Sequence, residues 1–158
     1  MNSMWPLKYL TMCCCPNYSA IDKSKSLFLL MDLSWAVFSK ASMQHAVREG
    51  CRYAVTAQTQ GALGQLASIR KVVQDNAMGF LASADDYGKI NVTFYRADTL
   101  APVIGTGSNA GGNLVVVSVD NYSLRPLIPL LRPSSPIIFT VRAGDKLEAS
   151  PGGIPPPL

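Results

Sequence analysis

The chain has 158 residues, of which 48% are apolar and only 15% are charged. This charged fraction lies below the roughly 25% that is usual for soluble domains, so apolar residues remain for a membrane or a partner. The net charge is +4, but the basic residues are scattered and form no cluster. A nucleic-acid-binding protein usually gathers such residues on one face, so we exclude that class.

The four cysteines do not have the spacing of a metal site. Cys13, Cys14 and Cys15 are adjacent, Cys51 stands alone, and His45 is the only histidine. A tetrahedral zinc site needs four such ligands, so we predict no metal and no cofactor. Beside a membrane the three adjacent cysteines could be acylated. An incidental run of small apolar residues is the simpler interpretation.

Residues 1–26 are predicted to be irregular, and the apolar run LFLLMDLSWAVF follows at 27–38. Twelve residues are too few to cross a bilayer, which takes roughly 20. Lys23 and Lys25 precede the run and Trp35 lies near its end, where an interfacial tryptophan is typical of a membrane helix. The run therefore resembles the last half of a membrane anchor, with a buried helix of a soluble protein as the alternative.

We predict one long helix over residues 27–60, because Gly50 is its only helix-weakening residue and it contains no proline. A stripe of mostly small side chains recurs at helical spacing along it, and such a stripe lets another element approach closely. The stripe comprises Phe38, Ser42, His45, Ala46, Gly50 and Ala54.

A second amphipathic helix is predicted between Leu63 and Phe80, where apolar residues recur every three or four positions. The period then changes to two, which predicts strands at 90–95 and 137–142, and the β-branched run LVVVSV predicts a central strand at 114–119. Loops join these strands, which favours antiparallel pairing. We therefore predict an α+β domain over residues 61–150, with helices on one face of a three-stranded sheet, and a disordered tail at 151–158.

The Gly-rich segment GTGSNAGGN, residues 105–113, raises the question of a phosphate-binding loop. No Gly-Lys-Ser/Thr follows it, and a strand comes next where a helix should begin. We interpret residues 99–113 as a flexible connection. Asp85 and Asp86 lack the D-x-D-x-D-G pattern of a calcium loop and are interpreted as a solvated turn.

Residues 31–58, MDLSWAVFSKASMQHAVREGCRYAVTAQ, resemble the N-terminal helix of TadE-like proteins, pseudopilin-type components of tight-adherence (Flp pilus) assembly. In that family an apolar helix passes an acidic and an aromatic residue and continues into a segment similar to A-V-R-E-G-A-R-Y-A. Asp32, Trp35, Phe38 and residues 46–54 match this pattern. The second helix and the strands at 90–96 and 115–122 follow in the same order, so the resemblance covers roughly residues 27–150.

The resemblance implies a pseudopilin-like protein of the bacterial inner membrane, with a single-pass N-terminal helix and a small extracytoplasmic domain. It implies a role in pilus assembly and secretion, without enzymatic activity and without a small-molecule substrate. The partners would be other pilus-assembly proteins, among them a second copy or a paralogous pseudopilin. We predict assembly contacts at Asp32, Trp35, Arg48, Glu49, Gly50 and Arg52.

Two alternatives remain at this point. In the first, the chain is a small soluble binding domain or enzyme, and Cys51 is a reactive thiol whose pKa Arg48 and Arg52 lower. His45 lies six residues away on another face of the helix and cannot serve as its base. In the second, the protein is peripheral and binds a membrane through residues 1–38.

Overall fold

The computed structural model describes residues 23–127, 136–150 and 152–158. The predicted irregular segment up to residue 22, including Cys13, Cys14 and Cys15, lies outside the described residues. The first helix, α1, comprises Lys23–Val55 and the second, α2, Gln65–Asn76. A short helix, α3, follows at Ala84–Tyr87, where the sequence predicted a turn.

α1 is continuous but has two different halves. Among its described side chains the first that is buried is Ser39, and from there a stripe of buried residues runs to Ala54. The buried stripe contains Ser39, Met43, Ala46, Val47, Gly50, Cys51 and Ala54. The predicted stripe is thus correct at Ala46, Gly50 and Ala54, and wrong at Phe38 and His45, which are exposed. Residues 23–38, which we call the arm, precede this stripe.

The buried stripe of α1 lies between α2 on one side and the sheet on the other. Gly50 faces α2, where a Cβ atom in its place would overlap the Val73 Cγ2 methyl group. Cys51, the next residue, faces the sheet and its S–H donates to the Ala143 carbonyl at 3.2 Å. Close approach of the two helices therefore depends on the missing side chain at Gly50.

The sheet is antiparallel, as predicted, but has four strands rather than three. They are β1 at Ile90–Tyr95, β2 at Pro102–Val103, β3 at Leu114–Leu124 and β4 at Ile137–Lys146. The order is β2-β1-β3-β4, so β3 is a central strand, and the α+β class is confirmed. β2 escaped prediction because two residues show no alternation, and its proline is acceptable only on an edge strand.

The Gly-rich segment and the C-terminal tail meet the start of α2 in a buried polar cluster. Asn109, predicted to be in a flexible connection, donates from Nδ2 to Gln65 Oε1 and to the Pro156 carbonyl, the latter at 2.8 Å. The Gln65 side chain donates to the Ala54 carbonyl at 3.2 Å, and its backbone N–H donates to the Pro157 carbonyl at 2.7 Å.

These bonds give specific partners to Asn109, in the predicted flexible connection, and to Pro156 and Pro157, in the predicted disordered tail. In these bonds the tail contributes backbone carbonyl oxygens as acceptors. Every residue has such an acceptor, so amino-acid composition does not predict these contacts.

The contact of Gly50 with Val73 predicts how substitutions at these two positions change the free energy of unfolding. Gly50→Ala should destabilise the protein by up to about 2 kcal/mol, because overpacking a core costs about 1–3 kcal/mol and the better helix propensity of alanine offsets about 1 kcal/mol of it. Val73→Ala removes the opposing methyl groups and makes room for the alanine. The loss of unfolding free energy in the double variant should therefore be smaller, by about 1 kcal/mol, than the sum of the losses in the two single variants. Urea unfolding measures all three.

Val72→Ala provides the matched control, because Val72 is the neighbouring valine of α2 but does not lie near Gly50. Its effect should simply add to that of Gly50→Ala. Additivity in the Val73 cycle as well would contradict the assignment of Gly50 to the helix contact.

Candidate assembly surface

The six predicted assembly residues fall into two groups that the fold keeps apart. Asp32 and Trp35 lie on the arm, and Arg48, Glu49, Gly50 and Arg52 lie on the half of α1 that is docked on the domain. Between Asp32 and Arg48 the helix rises about 24 Å at 1.5 Å per residue. The two groups therefore cannot form a single site.

Asp32 contacts the chain that leaves β3. Its Oδ1 accepts a hydrogen bond from the Leu127 N–H at 3.0 Å. A carboxylate in an apolar run is costly unless a polar group meets it, and the Leu127 amide is such a group. The position of Asp32 is thus accounted for by a bond within the chain, which connects the arm to the domain.

Trp35 belongs to an aromatic cluster at the base of the arm. Its ring centroid lies 6.0 Å from that of Phe38 and 5.5 Å from that of Phe80, in the segment after α2. Trp35, Phe80 and Tyr122 also line an open cavity of about 680 Å³. Contacts between aromatic rings stabilise a structure beyond the burial of their apolar surface. The main role of Trp35 within the chain is therefore to fix the direction of the arm.

The charged residues of the docked half lie on the exposed side of α1. Arg52 Nη1 lies 3.3 Å from Glu49 Oε1, one helical turn away, and the Arg52 side chain is 77% exposed. Arg48 is also exposed. An ion pair with this exposure contributes little to stability, so the fold does not depend on these three residues and they are accessible to a partner.

Gly50 does not belong with its charged neighbours. It is buried against Val73 and Ile69 of α2, within the same chain. Its small size is explained by this helix contact, and we remove it from the candidate assembly residues.

The arm also carries many exposed apolar side chains. Seven of its apolar side chains are between 48% and 61% exposed. These side chains are Leu27, Leu29, Leu30, Met31, Leu33, Val37 and Phe38. A contiguous apolar surface of this kind marks a site of interaction with a membrane or another protein.

Cys51 does not have the surroundings of a reactive thiol. It is 3% exposed and its S–H donates to the Ala143 carbonyl of β4. Burial raises the pKa of the Cys51 thiol, and the nearby Asp145 carboxylate raises it further. Arg48 and Arg52 lie on the exposed side of α1 and do not lower it. The geometry therefore does not support the thiol-enzyme alternative.

Among the described residues, no three His, Cys, Asp or Glu side chains form a group that could hold a metal ion. None of the helices in this part of the chain has both the length and the apolar character needed to cross a bilayer. Comparison with protein-family models, with curated proteins and with solved structures finds no match to this chain.

The environment of Cys51 predicts slow thiol labelling. In a variant with Cys13, Cys14 and Cys15 replaced by serine, labelling at about pH 8 should be on the order of a hundredfold slower than in denaturant, since it requires opening of the core. The rate should rise as the pH increases past the ordinary thiol pKa, because burial raises the pKa of Cys51. Rapid labelling of the native protein at neutral pH would revive the reactive-thiol alternative.

Proposed function

We propose that this protein is a non-enzymatic, helix-anchored component of a bacterial pilus assembly or secretion apparatus, of the TadE-like pseudopilin type. The division of α1 is the observation that supports the proposal most directly. One half packs in the domain between α2 and the sheet, and the other half, the arm, presents apolar side chains to the surroundings. A helix shared in this way serves both as an anchor and as a core element.

In this proposal the arm supplies the part of the anchor next to the domain. The apolar run at 27–38 rises about 18 Å, which is about 60% of the thickness of a hydrocarbon core of about 30 Å. Trp35 and its aromatic partners would lie at the membrane interface. The orientation follows the family that the α1 sequence resembles, in which the anchor helix runs outward from the cytoplasmic side of the inner membrane. The domain after α1 is then extracytoplasmic.

Assembly contacts are assigned to the exposed charged residues of the docked half of α1. Arg48, Glu49 and Arg52 follow the arm along the same helix and face away from the core. Asp32 and Trp35 act within the chain, where they fix the arm to the domain. Charged surface residues of this kind determine the choice and orientation of a partner more than the strength of binding.

Membrane association through the arm is tested with Leu29→Gln/Leu33→Gln. Both side chains are 59% exposed, so the substitutions should leave the fold intact while removing apolar surface. The wild-type protein should float with vesicles of anionic and zwitterionic phospholipids in a density gradient. The partition coefficient of the variant should be at least about a hundredfold lower, since two buried leucines together contribute about 3–6 kcal/mol.

Leu100→Gln/Ile104→Gln is the matched control, because these side chains are exposed on the domain and away from the arm. It should float like the wild-type protein. Equal flotation of both variants, or none of the wild-type protein, would contradict the proposal. Carbonate extraction separates integral from peripheral association, and release by carbonate would favour the peripheral alternative.

The assembly role of the charged residues is tested by charge reversal at Glu49. Glu49→Arg removes only an exposed ion pair, so stability should change by less than about 1 kcal/mol. The variant should lose co-purification with other components of the membrane complex after cross-linking in the cell. Glu148→Arg reverses an exposed charge elsewhere and should retain it. An intact complex in Glu49→Arg would end the assignment of an assembly contact to this position.

A further inference from the structure

The sheet has an open edge along the first half of β1. Among the described residues β2 pairs only with Phe94 and Tyr95, so no strand covers β1 before Phe94 on that side. The N–H of Arg96 donates to Ala101 on the β2 side. Because alternate residues of a strand direct their backbone groups to opposite sides, those of Val92 also point to the uncovered edge.

A cavity of about 300 Å³ lies beside this edge. Asn91, Ser118 and Arg142 line it and are register partners across β1, β3 and β4, which places them on the sheet face opposite the helices. Val92 and Arg70 of α2 also line it, so the cavity extends to the open edge of β1.

The acidic residue of the cavity, Asp120, already has hydrogen-bond partners within the chain. Asp120 accepts hydrogen bonds from Asn91 Nδ2 at 2.9 Å, from the Ser118 hydroxyl at 2.9 Å and from Arg142 Nη2 at 3.3 Å. Partial burial raises the pKa of this carboxyl, but the three donors and the charge of Arg142 outweigh burial and lower it. Asp120 is therefore ionised at neutral pH and holds the polar wall in place.

Arg70 has a donor without an acceptor. Its Nε is buried, and within the described part of the chain it has no hydrogen-bond partner. A buried donor left in this state is unfavourable, and a guanidinium prefers the paired oxygens of a carboxylate. Arg70 and Arg142 face a single carboxylate, Asp120, so the lining has one positive charge in excess.

We propose that the β1 edge binds an extended acidic segment of a partner protein, which adds to the sheet as a strand and places a Glu or Asp carboxylate on Arg70. The backbone of Val92 supplies the ladder hydrogen bonds, and the cavity receives the acidic side chain. The volume exceeds that of a lone carboxylate, and a small anion cannot use the strand edge. This binding mode is independent of membrane association by the arm.

The test uses the full chain in detergent and the peptide acetyl-Thr-Val-Glu-Val-Thr-amide, with a Gln-containing peptide as the neutral control. The Glu peptide should bind at least about tenfold more tightly by calorimetry, since a hydrogen bond to a charged group is worth that factor or more. Its binding should also slow hydrogen exchange at the Val92 amide. Arg70→Gln should abolish the difference between the peptides, and Lys71→Gln, at the neighbouring exposed cation of α2, should preserve it.

Equal binding of the two peptides by the wild-type protein would overturn the proposal, and this comparison requires no variant to fold. Binding of inorganic phosphate or acetate as tight as that of the Glu peptide, with no protection of Val92, would also overturn it. That result would reveal a site for free anions. An unchanged preference for the Glu peptide in Arg70→Gln would show that another group receives the carboxylate.

Discussion

The close contact of α1 with α2 at Gly50 determines the geometry of the rest of the molecule. With no side chain at Gly50, α1 lies against Val73, and the next residue, Cys51, reaches β4. α1 therefore touches α2 and the sheet within one helical turn. Because a helix is stiff over this length, the docked half also fixes the direction of the arm that precedes it.

The base of the arm shows how that direction is maintained. Asp32 accepts from the Leu127 amide, and Trp35 contacts Phe80, so the arm is held from two sides before the buried stripe begins. One contact is polar and directional, and the other is broad and apolar. Together they allow the remaining side of the arm to stay apolar and exposed without the helix losing its attachment to the domain.

Sequence periodicity was sufficient for the elements that bury one face. It predicted α2, β1 and β4, because a buried face repeats at 3.6 or 2 residues, whereas β3 was predicted from its β-branched residues. It predicted that Gly50 allows close packing but not that the partner is Val73 of the same chain. A small side chain indicates that another element packs closely against the helix. The sequence pattern is the same whether that element belongs to this chain or to another subunit.

The features that periodicity missed depend on single polar contacts. Gln65 and Asn109 are 44 positions apart, and only the fold brings their amides together to bind the tail. Arg70 lies outside the apolar stripe that predicts α2, and the sequence contains no indication that its Nε is buried. Such contacts have no repeat, so a sequence that predicts the core well contains little signal for them.

The two surfaces offered by the protein are separate and different in kind. The exposed residues of the arm lie on α1, which packs on β3 and β4, whereas the open edge lies on β1, which α2 covers. A membrane or protein bound to the arm and a strand added beside Val92 can therefore be bound at the same time. The apolar surface binds without directional preference, while a strand edge and a guanidinium demand register and charge. One chain can thus combine a general attachment with the selection of a particular partner.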